Sequence, residues 1–275
     1  MRDTRIALIG AGKMAECLIA GWLASGRVAP DQIVVTNRRN DERLQELQAT
    51  YGVRTRREKK EVLAGASVVV VAVKPGDMAE ALRQLSPWLA PGTTVVSVAA
   101  GVRLAAMSAL LPQTRNLVRA MPNTASRLRQ SVTALCRGEH CPAEDFYRVR
   151  ELFDLVGATV EVGEDDFDAV TALSGSGPAY VYLLVEAMLE AARDLGLPEP
   201  VARELTVWTV LGAGHMLRHT GLAPAELRRQ VTSPNGTTAA ALAVLEEMNV
   251  PAAVRRAVNR AAARAAELAA AVAAV

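Results

Sequence analysis

Short unbroken apolar runs alternate with longer segments of helical spacing as far as Val162, and then the runs stop. Residues 5–9 (RIALI), 33–36 (IVVT), 67–73 (SVVVVAV) and 94–98 (TVVSV) carry β-branched or aliphatic residues at nearly every position. A strand that is apolar at consecutive positions is covered on both faces, the mark of a parallel sheet lying between two layers of helices. Residues 116–119, 132–136 and 159–162 predict three more strands. Between them, segments such as 16–23 and 41–51 repeat apolar residues at helical spacing. The alternation predicts an α/β fold with a doubly wound parallel sheet.

From Asp165 onward no strand pattern remains. Residues 165–173, 178–195, 201–220, 224–231, 237–248 and 251–274 all predict helix, separated by Gly and Pro. The change of character sets a boundary at Glu164, with residues 1–164 as an α/β domain and 165–275 as an all-helical one. Segment 178–195 is apolar around most of its circumference. A helical part of roughly 110 residues makes only a thin core by itself. Such a helix is therefore expected to bury against a second subunit, making the protein at least a dimer.

Candidate chemistry begins at the first strand-to-helix turn, Gly10-Ala11-Gly12-Lys13-Met14-Ala15. Strand, glycine turn and helix in this order form a Rossmann-type dinucleotide fingerprint. Gly10 serves the tight turn, Gly12 the approach of the pyrophosphate and the small Ala15 the packing of helix on strand. A ligand-free glycine turn is the alternative. The second strand should end in the residue that reads the adenine ribose, and NAD would call for a carboxylate there. The chain instead has Asn37, Arg38 and Arg39, which suit the 2′-phosphate of NADP; a solvated arginine pair opening the next helix is the alternative. Ala99, Ala100 and Gly101 follow the fourth long run, small enough for either close cofactor approach or simple packing at a turn.

Near the far end, Val231–Thr238 (VTSPNGTT) opens the helix 237–248. A helix N-terminus beside the three hydroxyls of Ser233, Thr237 and Thr238 suits a carboxylate, although Ser and Thr in such a turn also serve as ordinary caps.

Composition narrows the field. A net charge of +2, with no long basic run, argues against a nucleic-acid partner. No apolar run approaches the roughly 20 residues a bilayer needs, and Met1–Arg5 leads directly into a strand, so neither a membrane span nor a signal peptide is expected. The three cysteines, Cys17, Cys136 and Cys141, are odd in number and suit a reducing cytoplasm. Cys136, His140 and Cys141 lie close together but lack a fourth zinc ligand, so no metal is expected.

These segments together resemble the pyrroline-5-carboxylate reductase family, nearly end to end. The resemblance lies in GAGKMA at Gly10–Ala15, AVKP at Ala72–Pro75, SVAAGV at Ser97–Val102 and RAMPNT at Arg119–Thr124. It is most specific in DAVTALSGSGPAY at Asp168–Tyr180 and VTSPNGTT at Val231–Thr238. It implies a Rossmann domain followed by a helical dimerisation domain, with homodimers assembling further to a decamer. It also implies NADPH-dependent reduction of 1-pyrroline-5-carboxylate to L-proline, with NAD(H) as the second candidate cofactor. Val73, Lys74 and Pro75, with Ala99, Ala100 and Gly101, would contact the cofactor. Ser233, Gly236 and Thr237 would hold the substrate carboxylate, Thr238 would orient the ring nitrogen, and Glu164 would line the substrate site. The SPNGTT turn is expected to face the Rossmann domain of the neighbouring subunit. Three positions depart from the family pattern. Asn235 stands where Gly is usual, Ala125 where Pro is usual, and Lys59 where Asn is common near the adenine ribose.

Two readings remain beside this one, a reductase of another cyclic imine carboxylate and a catalytically silent NADP-binding regulator. A β-hydroxyacid dehydrogenase of similar architecture would place a lysine on its interdomain helix, and this chain has none after Lys74. Hydride addition to a protonated imine needs alignment and exclusion of water more than a strong acid. A threonine hydroxyl at position 238 fits that orienting task better than proton donation.

Overall fold

The computed structural model describes residues 4–273. They fall into two compact units, the first running to Ser176 and resuming at Arg260, the second being Gly177–Asn259.

The first unit is built on an eight-stranded sheet. Its strands are β1 (Ile6–Ile9), β2 (Ile33–Thr36), β3 (Arg54–Thr55), β4 (Val68–Val71), β5 (Thr94–Ser97), β6 (Leu117–Met121), β7 (Ser131–Arg137) and β8 (Gly157–Glu161), in the order β3-β2-β1-β4-β5-β6-β7-β8. Neighbours pair parallel except β6 with β7. The segment between these two holds only a short 3-10 helix (Thr124–Leu128), too little for a crossover, so the chain returns antiparallel. Strand β3 went unseen in the sequence because its two residues, an Arg and a Thr, make no apolar run.

The unbroken runs are explained by two cores. Ile6, Leu8, Val68 and Val70 belong to one, with side chains from α1 (Lys13–Ala24), α2 (Asp41–Tyr51) and α6 (Ala143–Asp154). Ala7, Ile9, Val69 and Val71 belong to the other, with α3 (Lys59–Leu63), α4 (Met78–Leu85) and α5 (Leu104–Leu110). Successive side chains point to opposite faces, so each of these strands serves both layers. Trp22 of α1 is fully buried, donates from Nε1 to the Leu152 carbonyl of α6 at 3.0 Å and meets Phe153 edge-on at 6.4 Å. Gly21, on the same helix, sits so close to the Thr124–Leu128 turn that a Cβ would overlap the carbonyl oxygen of Ser126.

The predicted helix over 165–173 is three short pieces. A 3-10 turn (Glu164–Asp166) leads to α7 (Phe167–Val170) and then to a π-helical turn (Thr171–Gly175). Ser174 Oγ bonds back to the Val170 carbonyl at 3.0 Å, and the Ser176 N–H reaches the Thr171 carbonyl at 2.9 Å, five residues away. Gly175 makes the wide turn possible against the end of β6, since a Cβ there would lie 2.6 Å from Met121 Cε.

The second unit is helical throughout: α8 (Gly177–Asp194), α9 (Glu199–Thr220), α10 (Pro224–Gln230) and α11 (Thr237–Glu247), the first two packed on each other. The last helix, α12 (Val250–Ala273), starts in this unit and ends in the first; residue 274 of the predicted segment lies outside the described residues. No residue of α8 is buried, and Tyr182, Leu183, Leu184, Leu205, Trp208 and Met248 are among the large apolar side chains left exposed. Among the described residues no helix is long and apolar enough to cross a membrane.

Because Gly21 has backbone rather than flexible side chain opposite it, Gly21→Ala is expected to cost about 2–3 kcal/mol through overpacking, read as a lower urea midpoint with an unchanged slope.

Candidate active site

The carboxyl ends of β1, β2 and β4 converge on one cleft. Gly10 takes φ +108°, donates to the Thr36 carbonyl at 2.8 Å, and leaves only 2.5 Å between an imagined Cβ and the Ala72 oxygen. Gly12 heads α1 without a side-chain cap, and a Cβ on it would meet nothing within 4 Å. The first turn of the helix is thus open to an anion, as the pyrophosphate of a dinucleotide requires. Ala15 is fully buried in the helix–sheet core, Met14 is partly buried against it, and Lys13 stays exposed.

Gly10, Asn37, Arg38, Lys59, Val73 and Asp77 are among the residues lining this cleft; Arg39 is exposed and not among them. Asn37 forms a side-chain turn, accepting from the Asn40 N–H at 3.0 Å and donating to the Asn40 carbonyl at 2.7 Å. Asn40 in turn caps α2 by accepting from the Arg43 N–H at 2.8 Å. Arg57, which sequence reasoning missed, pins the turn by donating to the Asn37 carbonyl at 2.9 Å and to its Oδ1 at 2.8 Å, while paired with Asp41. Its only sequence signal was one more arginine in a polar stretch. Burial, followed by the Arg57 charge, pushes the Lys59 ammonium below its usual value, a penalty that a bound phosphate would offset. These residues fit an adenosine 2′-phosphate. Lys74 is exposed and Pro75 opens a 3-10 turn (Pro75–Asp77) beside the cleft.

Ala99 is buried, and Gly101 is required for packing. At φ +73° its missing Cβ leaves room for α12, whose Ala269 nitrogen would lie 2.9 Å from it.

Glu16, in the first turn of α1, gathers four partners: Arg43 at 2.7 Å, Arg127 at 3.0 Å, Lys13 at 3.5 Å and the Tyr51 hydroxyl at 3.1 Å. Burial works to raise its pKa. The hydrogen bonds from Arg43 and Tyr51, with the charges of Arg43 and Lys13, outweigh it and hold the carboxyl at about 2. The charge of this carboxylate, next to the Gly10–Ala15 turn, is thereby compensated while the group stays ionised.

A second buried charge lies on β6. Arg119, 2% exposed, bonds Glu164 Oε1 at 3.0 Å and stacks over Phe167 at 4.2 Å. The same oxygen accepts from the Leu104 N–H at 3.0 Å, so Glu164 ties β6, α5 and the turn before α7 together. Burial lowers the Arg119 pKa, and Glu164 partly restores it. Asn123, just past β6, holds the π-helical turn by donating to the Ser174 carbonyl at 3.1 Å and caps the next turn through the Ala125 N–H at 3.0 Å. Burial pushes the thiols of Cys136 and Cys141 up to about 11, with Glu164 adding to the first and Asp145 to the second.

In the second unit, Asn235 takes φ +58°, the left-handed backbone that its usual Gly would allow. The Gly236 N–H returns to the Ser233 carbonyl at 3.1 Å, and a Cβ on Gly236 would overlap Ser233 Oγ. Gly236 heads α11 with no side-chain cap, and among the described residues the hydroxyls of Ser233, Thr237 and Thr238 make no hydrogen bond. Uncapped N–H groups and unengaged hydroxyls at one helix start have the chemistry that suits a small carboxylate.

Comparison with known proteins gives two family matches. Residues 164–268 match the model for pyrroline-5-carboxylate reductase dimerisation, and residues 5–101 that for NADP oxidoreductase, coenzyme F420-dependent. Pyrroline-5-carboxylate reductase 2 of Bacillus subtilis is 39% identical over 250 residues, covering 91% of this chain and 90% of that one. The reductase of Pseudomonas aeruginosa is 41% identical over 258 residues, 94% of each. Among solved structures, a pyrroline-5-carboxylate reductase of Coxiella burnetii superposes with TM-score 0.86 at 37% identity over 96% of this chain and 98% of that one. The Plasmodium falciparum pyrroline carboxylate reductase with NADP bound gives 0.88 at 23% identity, covering 98% and 99%, a likeness of fold.

The Glu16 cluster makes stability depend on pH. A carboxyl held at about 2 in the folded chain, against 4.5 as its ordinary value, contributes fully above 4.5 and loses its contribution as pH falls toward 2. Glu16→Gln is expected to lower unfolding free energy by about 1–2 kcal/mol at pH 7. The gap from the unsubstituted chain should close between pH 5 and 2, as followed by urea unfolding at each pH.

Proposed function

This chain belongs to the pyrroline-5-carboxylate reductase family, and we propose that it binds NADP(H) at the Gly10–Ala15 cleft and its substrate at the Ser233–Thr238 turn. The reaction is the NAD(P)H-dependent reduction of 1-pyrroline-5-carboxylate to L-proline, the proline-forming step of amino-acid biosynthesis. The observation that carries the assignment of the turn is its combination of Asn235 at φ +58° and an uncapped α11 start with unengaged hydroxyls.

The cofactor, when bound, would supply hydride for the imine carbon, the ring nitrogen carrying the proton, which gives the amine and NADP⁺. The N–H groups at Gly236–Thr238, with Ser233 and Thr237 hydroxyls, bind the carboxylate. Thr238 Oγ orients the ring nitrogen by a hydrogen bond and does not act as a strong acid. On the cofactor side, Gly10, Gly12, Lys13, Met14 and Ala15 form the pyrophosphate turn, and Asn37, Arg38 and Lys59 take the 2′-phosphate, with Arg39 as outer positive charge. Val73, Lys74 and Pro75, with Ala99 and Ala100, line the remaining approach. Gly101 borders the same approach and also seats α12. Glu164 serves the substrate site through its bond to Arg119, which supports a positioning role.

We place the functional boundary at residue 164, dividing an NADP-binding domain of 1–164 from a substrate-binding and dimerisation domain of 165–275. The start of the dimerisation match at residue 164 supports it. The protein is an oligomer of this chain. The specific assembly proposed is a homodimer formed through the exposed apolar faces of the second unit, with dimers joining into a decamer. Three buried free thiols, Cys17, Cys136 and Cys141, support a cytoplasmic setting.

Three outcomes are expected. Purified protein oxidises NADPH in the presence of 1-pyrroline-5-carboxylate faster than with piperideine-carboxylate. NADPH binding with no turnover of either would overturn the assignment in favour of a silent regulator. Thr238→Ala lowers kcat/KM by about tenfold, the loss of one orienting hydrogen bond, with an unchanged thermal midpoint; unaltered steady-state kinetics would remove Thr238 from the site. Leu183→Asp, on the unburied face of α8, shifts the sedimentation profile toward monomer, and turnover falls in parallel.

A further inference from the structure

The cofactor cleft contains carboxylates as well as cations. Asp77 and Glu80 line it together with Arg38 and Lys59. The two acids are differently engaged. Asp77 Oδ1 lies 3.1 Å from Arg38 Nη1, whereas Glu80 accepts from Gln84 Nε2 at 2.6 Å and is not paired with Arg38. Asp77 precedes α4 without capping it, so its carboxylate is committed to the guanidinium. Both members of the pair stand on stiff supports. The turn Pro75–Asp77 is closed by the Asp77 N–H to the Lys74 carbonyl at 2.9 Å. Arg38 follows Asn37, whose turn Arg57 holds at two atoms.

We propose that Asp77 is a specificity-determining residue, which weakens the discrimination for NADP(H) over NAD(H) by competing with the 2′-phosphate for Arg38. This rests on the reading that Asn37, Arg38 and Lys59 receive that phosphate. A phosphate carrying nearly two negative charges must displace the Asp77 carboxylate or bind beside it, and either costs free energy. A cofactor with a free 2′-hydroxyl meets no such competitor and leaves the ion pair intact. Asp77 therefore acts on one cofactor and hardly on the other.

The test is the ratio of dissociation constants for NADH and NADPH, titrated on the full chain and repeated as a ratio of kcat/KM. Asp77→Asn, which keeps size and helix-start preference, raises the ratio by about two- to fivefold in favour of NADPH, as expected for one exposed charge. Most of the change lies in the NADPH constant, and it shrinks at high salt. Asp77→Glu keeps the original ratio, and Glu80→Gln moves it less than Asp77→Asn does. A ratio unchanged or lowered in Asp77→Asn overturns the proposal. An equal rise in Glu80→Gln also overturns it, by showing bulk charge rather than competition for Arg38. Arg38→Ala and Lys59→Ala check the underlying reading separately. Each should lower the ratio, and if neither does, the phosphate is held elsewhere whatever Asp77 shows.

Discussion

A missing methyl at Gly10 is the constraint on which the first unit depends. Strand β1 lies between β2 and β4, and all three end where Gly10 turns. With φ at +108° its N–H reaches Thr36 at the end of β2, while its bare α-carbon lies against the Ala72 carbonyl just beyond β4. Any side chain would push these strand ends apart and turn the start of α1 away from the cleft. The same turn lets Ala15 and Trp22 pack into the core behind it, so the cleft and the hydrophobic core share one backbone geometry.

Around that turn, charges are arranged so that few are left uncompensated. Glu16 would repel a pyrophosphate, but Arg43, Arg127 and Lys13 surround it. Arg57 is spent on holding Asn37 and Asp41, which leaves Arg38 and Lys59 to face the cleft. Arg38 is itself shared with Asp77. An anion entering this cleft would meet existing ion pairs rather than a purely positive hole. Partly exposed pairs of this kind are individually weak, which makes them suitable for tuning selectivity.

The second unit presents the opposite problem. Its helices carry Tyr182, Leu183, Leu184 and Trp208 exposed on a single chain, far more apolar surface than an isolated helical layer keeps in water. The match to a dimerisation family over residues 164–268 gives this surface its meaning. The turn proposed for the substrate, Ser233–Thr238, belongs to the same unit and keeps its shape locally, through Asn235 in the left-handed region and Gly236 against Ser233.

What the amino-acid sequence determined by itself was local. Consecutive β-branched residues marked the buried parallel strands, because two-sided burial is written at every position of a strand. The Gly10–Ala15 and Ser233–Thr238 turns were legible because left-handed backbone and bare helix starts need particular residues at particular places. Asn235 could be foreseen at positive φ for the same reason. The tertiary structure alone decided what depends on pairing between distant positions. The antiparallel turn-back of β7, the two-residue β3 and the π-helical turn beside Met121 leave no periodic trace. Arg57 on Asn37, Asp77 on Arg38 and Arg119 on Glu164 join residues far apart in the sequence. Gly101 looked equally suited to cofactor and to packing, and its contact with α12 could be seen only in the folded chain. A residue's type restricts which partners it can take, but which partner it meets is set by how the strands are ordered.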